Sequence, residues 1–384
     1  MSVLDRRLLR ETSLGLAHKL WRVSWLYVLL LCLLAGVGFA ALYSVSGGSL
    51  TPYAGKHALR FAVSLVVMLA IAFTDIRFIA RLSWLAYAGS LALLVLVLRI
   101  GHVGKGAERW IDIAGVQWQP SEMMKIALVM ALAAYFRKAT WERMGDPLFL
   151  LPPALMVAAP VALILKEPNL GTAVIVAAVG AAVFLAAGIR WWKVGLMLGL
   201  IGIAAPIGYA HLHAYQRARI TTFLHPERDP LGAGYNIIQS KIALGAGGLW
   251  GQGFLHGTQG NLDFLPEKQT DFIFSMLAEE FGYVGSLAVL GLLALIVGGA
   301  LAMALGCRHR YGRLLAVGIG MNFFMYVFVN VAMVTGAIPV GGVPLPLVSQ
   351  GGSAMLMVMV GFGLLMSAWV HRDADFGDEP PSGV

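Results

Sequence analysis

The sequence predicts an all-α polytopic membrane protein with about ten transmembrane helices. Three observations carry that expectation: an apolar composition, a series of apolar runs each long enough to cross a bilayer, and a lopsided distribution of Lys and Arg. Of the 384 residues, 59% are hydrophobic and 12% charged, against about 45–50% and about 25% in soluble domains. Mean hydropathy is +0.77. A soluble globule cannot bury that much apolar surface. A cytosolic enzyme, a disordered chain and an ordinary nucleic-acid-binding protein are therefore excluded. The net charge of +8 would suggest nucleic acid in a soluble chain. Here membrane topology explains it, and no nucleic-acid partner is expected. The two cysteines, Cys32 and Cys307, make no disulfide framework.

The first apolar run, 23–45, follows Arg6, Arg7, Arg10, Lys19 and Arg22. It is longer than the roughly 7–15 apolar residues of a signal peptide, so it reads as a retained anchor. Further runs lie near 58–74, 82–100, 121–136, 148–165, 170–189, 194–212, 272–304, 313–336 and 351–370. The run 272–304 is long and interrupted by Glu279-Glu280-Phe281-Gly282, so it is expected to tilt or to lie partly outside the membrane. A split there would change the count. With the N-terminus inside, most Lys and Arg fall in inside segments, including Arg77, Arg81, Arg137, Lys138, Arg143, Arg190, Lys193, Arg308, Arg310 and Arg313. Both termini are then cytoplasmic.

Between spans seven and eight, residues 213–271 form a large extracytoplasmic loop, and loops of that length are usually functional. Within it, 235–244 has helical apolar spacing and reads as an amphipathic surface helix. The short tail, 372–384, is acidic and Pro-containing, and is expected to be disordered. No internal repeat marks an inverted-repeat transporter.

Ionisable or irregular segments at membrane depth point to function. In Gln119-Pro120-Ser121-Glu122-Met123-Met124-Lys125, Pro120 suits a first helical position and Glu122 complements the helix dipole. Either Glu122 and Lys125 form an i,i+3 pair, or Lys125 faces a water-filled cavity and contacts an anion. Lys166-Glu167-Pro168-Asn169 can end one helix and cap the next. At Phe264-Leu265-Pro266-Glu267-Lys268-Gln269-Thr270-Asp271-Phe272, Thr270 and Asp271 open the eighth span. Capping is the ordinary role there. The clustered acids Glu267, Asp271, Glu279 and Glu280 also suit a general base or a metal site. Last, Pro339 to Ser353 alternates apolar residues with Pro and Gly. Such non-helical backbone is tolerated only where it is buried in protein or lines a cavity. Its glycines would let backbone N–H groups approach a ligand, including a phosphate.

Taken together, these segments resemble the SEDS family (shape, elongation, division and sporulation). The resemblance spans about residues 20–372 and includes the 245–253 Gly-rich stretch. His256-Gly257-Thr258-Gln259 followed by Asp263-Phe264-Leu265-Pro266-Glu267 is similar to the elongation branch rather than the division branch. The resemblance implies a peptidoglycan glycosyltransferase that polymerises lipid II on the outer face of the bacterial inner membrane. It implies that Asp271 is the essential catalytic acid, that Glu122 and Lys125 are functionally sensitive, and that a class B penicillin-binding protein and other elongation-complex membrane proteins are partners. One departure is Asn169, where the family more often carries Asp.

The implied donor is an α-linked lipid pyrophosphate glycoside and the product bond is β-1,4, so the reaction inverts. Asp271 is then the base for the acceptor 4-hydroxyl. Arg109, Lys125, Arg217 and Arg219 are candidate anion holders. Glu122, Lys241, Glu267, Ser349 and Gln350 complete the candidate substrate-binding set. No dense carboxylate cage is visible, so a divalent cation, Mg²⁺ or Mn²⁺, would be shared with substrate; no organic cofactor is expected. The rival readings are a lipid II flippase, a non-catalytic scaffold that recruits the penicillin-binding protein, and a division-type paralogue.

Overall fold

The structure, a computed structural model, describes residues 15–377 apart from 101, 105–106, 114–115, 141, 191, 262–263 and most of 196–232. A short helix α1 (Leu16–Arg22) leads into α2 (Trp25–Val45), α3 (Ala54–Ala72) and α4 (Ile76–Ile100). After three short strands come α5 (Pro120–Phe136), α6 (Pro147–Lys166) and α7 (Leu170–Ala186). Helices α8 (Ala233–Ala246) and α9 (Thr258–Asn261) precede the long α10 (Ile273–Gly306), followed by α11 (Arg310–Val334) and α12 (Gly352–Val370). Among the described residues, seven helices are long and apolar enough to cross a membrane: α2, α3, α4, α6, α10, α11 and α12. Helices α5 and α7 have 17 residues each, at the lower limit for a span. The expected span 194–212 lies largely outside the described residues.

Helices α3 and α4 begin four and six residues earlier than their apolar runs. Lys56, His57 and Arg60 lie within the first turns of α3, and Arg77 and Arg81 within those of α4. Polar residues at a helix end break the apolar run without breaking the helix. The strands are a local addition to the all-α fold. His102–Gly104, Ala107–Ile113 and Val116–Trp118 (β1 to β3) form an antiparallel sheet, with Ile111 opposite Trp118 and Gly104 opposite Ala107.

Helix α11 is the central post; it packs on α5, α7, α10 and α12. Nearly every residue of α5 is buried, while α3, α4 and α6 expose wide apolar faces. Contact at the post depends on small residues, since lipid removes the hydrophobic drive between helices and leaves close packing. A Cβ on Gly318 would lie 2.5 Å from Val129 of α5. At one end, Arg310 donates to the carbonyls of Ala139 and Ala187, tying the chain just past α5 and α7 to the start of α11. The opposite end carries the sheet, the turn at 167–169 and the segment 335–351.

Candidate active site

The Phe264–Phe274 junction enters α10 at this second end. Its N-cap position is Phe272, which makes no side-chain cap bond. Neither Thr270 nor Asp271 is therefore the cap. The Thr270 hydroxyl instead donates to Glu267 Oε2 at 2.9 Å, and its N–H donates to the Glu267 carbonyl at 3.0 Å. Glu267, at φ 59°, shapes the turn that presents Asp271.

The Pro/Gly segment wraps this turn. Ser349 Oγ donates to the Thr270 carbonyl at 2.5 Å, and Gln350 N–H donates to the Gln269 carbonyl at 2.8 Å. The Asn330 amide of α11 completes the bracket, donating to the carbonyls of Asp271 (2.9 Å) and Val343 (2.8 Å). The Asp271 carboxylate faces Gly342: Oδ2 lies 3.7 Å from where a Cβ on Gly342 would stand. Gly342 has φ 65°, a conformation that favours glycine. The segment is otherwise irregular and turns inward Val343, Leu345, Leu347 and Val348, all buried, as irregular backbone at membrane depth requires.

One turn along α11 from Asn330 lies Tyr326, which joins Glu122 and Lys125. Lys125 Nζ is 2.7 Å from Glu122 Oε1, 4.0 Å from the Tyr326 ring centroid and hydrogen-bonded to its hydroxyl. The Tyr326 hydroxyl in turn donates to Glu122 Oε2. Lys125 is only 1% exposed. This overturns the expectation that Lys125 lines a water-filled cavity and holds an anion. A bare ammonium in an apolar core is too costly, and a carboxylate one turn away with a phenol satisfies it. The i,i+3 pair is what the structure contains.

Beside the bracket a cleft of about 620 Å³ opens between α3 and α12, lined by Arg60, Ser64, Trp110, Trp118, Gln350 and Ser353 among others. Gln350 belongs to both cleft and bracket, so the cleft adjoins the Asp271 turn. The Arg60 guanidinium carbon lies 3.3 Å from where a Cβ on Gly352 would stand, at the N-terminus of α12. An exposed cation, an oriented helix end and two indoles can hold an anionic head and stack on a sugar ring.

The structure brings Asp271, Glu267, Ser349 and Gln350 into one turn-and-bracket unit and places Glu122 and Lys125 beneath it. Arg109 is on β2, its side chain outside the described residues, as is Arg219. Arg217 is exposed. Lys241 sits on α8 at the C-terminus of α11: its Nζ is 2.8 Å from where a Cβ on Gly336 would lie, a favourable place for a cation. Nearby, Ser240 Oγ lies 2.7 Å from both Ser275 Oγ and the Val334 carbonyl. Asn169 caps α7, its Oδ1 accepting from Thr172 N–H at 3.3 Å; the cap needs a short oxygen acceptor and no charge. Sequence reasoning missed Asn330, Tyr326, Arg60, Trp110 and Trp118.

Among the described residues, no three of His, Cys, Asp and Glu converge as a metal cage.

A family profile described as cell cycle protein, spanning FtsW, RodA and SpoVE, matches residues 24–374. The peptidoglycan glycosyltransferase MrdB of Escherichia coli K12 is 43% identical over 352 residues, covering 90% of this chain and 93% of that one. A probable peptidoglycan glycosyltransferase FtsW of Trichlorobacter lovleyi is 42% identical over 283 residues, covering 72% and 73%. Among solved structures, a chain from a peptidoglycan synthase complex that coordinates polymerization and crosslinking superposes with TM-score 0.80 at 30% identity, covering 92% of this chain and 99% of that one. The rod shape determining protein RodA of Thermus thermophilus superposes with TM-score 0.69 at 27% identity, covering 92% and 98%.

Proposed function

This chain belongs to the FtsW, RodA and SpoVE family, and on that premise we infer that it is a peptidoglycan glycosyltransferase of the elongation branch, polymerising lipid II into β-1,4 glycan strands. It is a multi-pass protein of the bacterial inner membrane, with the Asp271 end facing outward and both termini in the cytoplasm. The observation that carries the reading is the bracket around Asp271. The turn that carries this carboxylate is fixed through its backbone carbonyls by Ser349, Gln350 and Asn330, next to a cleft with a cation and two indoles.

In one displacement, the Asp271 carboxylate takes the proton of the acceptor 4-hydroxyl. The new bond forms at the donor anomeric carbon while the bond to the pyrophosphate oxygen breaks, with inversion. Arg60, at the α12 N-terminus, is placed to receive the negative charge that grows on the pyrophosphate. Arg109, Arg217 and Arg219 are further cations for that role. Lys125 is reassigned: paired with Glu122 and Tyr326, it shapes α5 and α11 beneath the bracket. Trp110 and Trp118 offer faces for sugar rings. A divalent cation, Mg²⁺ or Mn²⁺, held by Asp271 together with substrate phosphate, would add charge neutralisation. A class B penicillin-binding protein supplies crosslinking as partner.

The test is polymerisation of labelled lipid II by purified protein, alone and with its class B partner, with Mg²⁺ present, for wild type and Asp271→Asn. Glycan ladders from wild type, and loss of at least a hundredfold in an Asp271→Asn protein that inserts normally, are expected. Full activity of Asp271→Asn would remove the base assignment. No ladders from wild type, with translocation of lipid II across vesicles instead, would make the protein a flippase.

A further inference from the structure

Helix α10 breaks at Gly282, which has φ 66° and ψ −163°. Broken helices leave unsatisfied N–H and C=O groups. Here a Gly-rich turn, 247–253, satisfies them. The carbonyls of Gly248 and Leu249 accept from Tyr283 and Val284 N–H at 2.9 and 3.2 Å, while Gln252 and Gly253 N–H donate to the carbonyls of Glu279 and Glu280 at 2.9 and 3.0 Å. The fit is close: a Cβ on Gly247 or Gly251 would lie 2.0 Å from the carbonyl oxygen of Ala278 or Glu280. The turn thus directs its backbone polarity into α10. What it directs outward is Leu249, 66% exposed, and Trp250, 78% exposed.

Past the break, α10 runs about 24 residues, or about 36 Å at a rise of 1.5 Å each. That alone crosses a hydrocarbon core of about 30 Å. Residues 281–306 contain no charged side chain, and Tyr283, Val284, Leu287, Leu295 and Leu305 form a line of exposed apolar groups along the outside. The break therefore sits at one edge of the bilayer, and the Leu249–Trp250 tip prolongs the apolar line at that edge. Trp and Tyr favour this level, where one end of the ring is apolar and the other wet.

We propose that the 247–253 turn is a membrane anchor, with Trp250 and Leu249 seated at the headgroup–acyl boundary of the lipid bilayer. The occupant of this surface is lipid, because the patch is continuous with the lipid-facing stripe of α10. The anchor fixes the depth of the break. Through the short helical stretch before it, it sets the height of the Asp271 turn above the acyl chains. The inference rests on membrane insertion and not on the reaction, so it stands or falls separately from the glycosyltransferase reading.

The test is tryptophan fluorescence of wild type and Trp250→Phe in nanodiscs, with lipids brominated at acyl positions 6,7 or 11,12. The difference emission, which isolates Trp250, is expected to be blue-shifted. It should be quenched at least twofold more by the shallow bromines than by the deep ones. Difference emission that is red-shifted or indifferent to bromine would overturn the proposal. Bimane attached at Leu249→Cys gives a second measurement should the first variant misfold. Quenching by bromolipid supports the anchor, and quenching by aqueous iodide alone refutes it. Protection from both, in the presence of a protein partner only, would assign the patch to that partner and refute the lipid assignment.

Discussion

At the scale of residues, the candidate site consists of polar side chains that bond backbone carbonyls and each other. Asn330 is the clearest case. Its amide joins the carbonyls of Asp271 and Val343, so one side chain holds the carboxylate turn and the Pro/Gly segment in register. Asn330→Leu keeps the volume and strands two acceptors, at about 1–3 kcal/mol for each group left unsatisfied. Thermal unfolding in detergent should shift down, and polymerisation should fall at least tenfold even at temperatures where the variant is folded. Unchanged polymerisation would show that the bracket does not hold Asp271 for its task. Lys125 invites a two-step comparison. Lys125→Met leaves Glu122 buried without its cation, a change worth about 3–5 kcal/mol. Adding Glu122→Gln should recover most of the lost stability, because the orphaned charge goes too; a double variant no more stable than the single would refute the pairing. The sequence made Asp271, Glu122 and Lys125 legible because charges at membrane depth are rare. It also held a signal for the others: Asn322, Tyr326 and Asn330 recur every four residues within one span and so share a helix face. Arg60 was not legible, since an Arg near a helix end reads as a lipid-headgroup contact until the fold lays it against Gly352.

Among the elements, α10 decides the geometry of the site. The interruption at Glu279-Glu280-Phe281-Gly282 was legible from two acids and a glycine inside an apolar run. What they do there was not, because their partners lie far along the chain. Glu279 Oε1 accepts from Thr258 Oγ1 and Gln259 N–H, both at 2.9 Å, and Glu280 accepts from Ser44 of α2. Gly282→Ala should expose how much depends on the break. The φ of 66° is strained for any L side chain, at about 1–3 kcal/mol, and the new Cβ would fall 2.3 Å from the Gly251 nitrogen. A lower melting temperature and a loosened 247–253 turn, read as faster amide exchange at Tyr283 and Val284, are the expected results; exchange unchanged at both would show that the turn does not depend on the break. The small sheet shows the opposite limit of sequence reading. Residues 102–118 are short, mixed in polarity and interrupted by glycines, so no period stands out, and pairing alone makes them strands. The segment 235–244 was legible as a helix. One face of it packs on α10, with Ile237, Ser240 and Ala243 buried, while Lys241 and Ile242 stay exposed.

For the molecule as a whole, the two ends differ in kind: one carries the cleft beside the Asp271 turn and the other is clasped by the C-terminal tail. The described part of the tail, 372–377, expected to be disordered, packs against the helix ends. Asp373 pairs with Arg22 of α1 at 3.1 Å and with Arg308 at 3.5 Å. The Phe376 ring packs 5.1 Å from His309 and 5.8 Å from Tyr311. Composition alone hid this, because one aromatic among four acids on a short polar tail has no visible partner until the helix ends converge. The clasp encloses two histidines. Burial lowers His309 to about 4, and burial likewise lowers His371. His309 Nδ1 also accepts from Gly312 N–H at 2.8 Å, capping α11, a bond that only the unprotonated nitrogen can make. As pH falls from about 6.5 towards 4, the unfolded chain takes up protons that the folded His309 refuses. Stability present above pH 6.5 is then lost across that window, on the order of 3 kcal/mol for His309 alone. The melting temperature in detergent should therefore decline between pH 6.5 and 4. His309→Asn, which can keep the cap acceptor but cannot titrate, should flatten that decline while leaving the value at pH 7.5 nearly unchanged. An Asn variant with the same slope as wild type would show that this end does not sense the proton through His309.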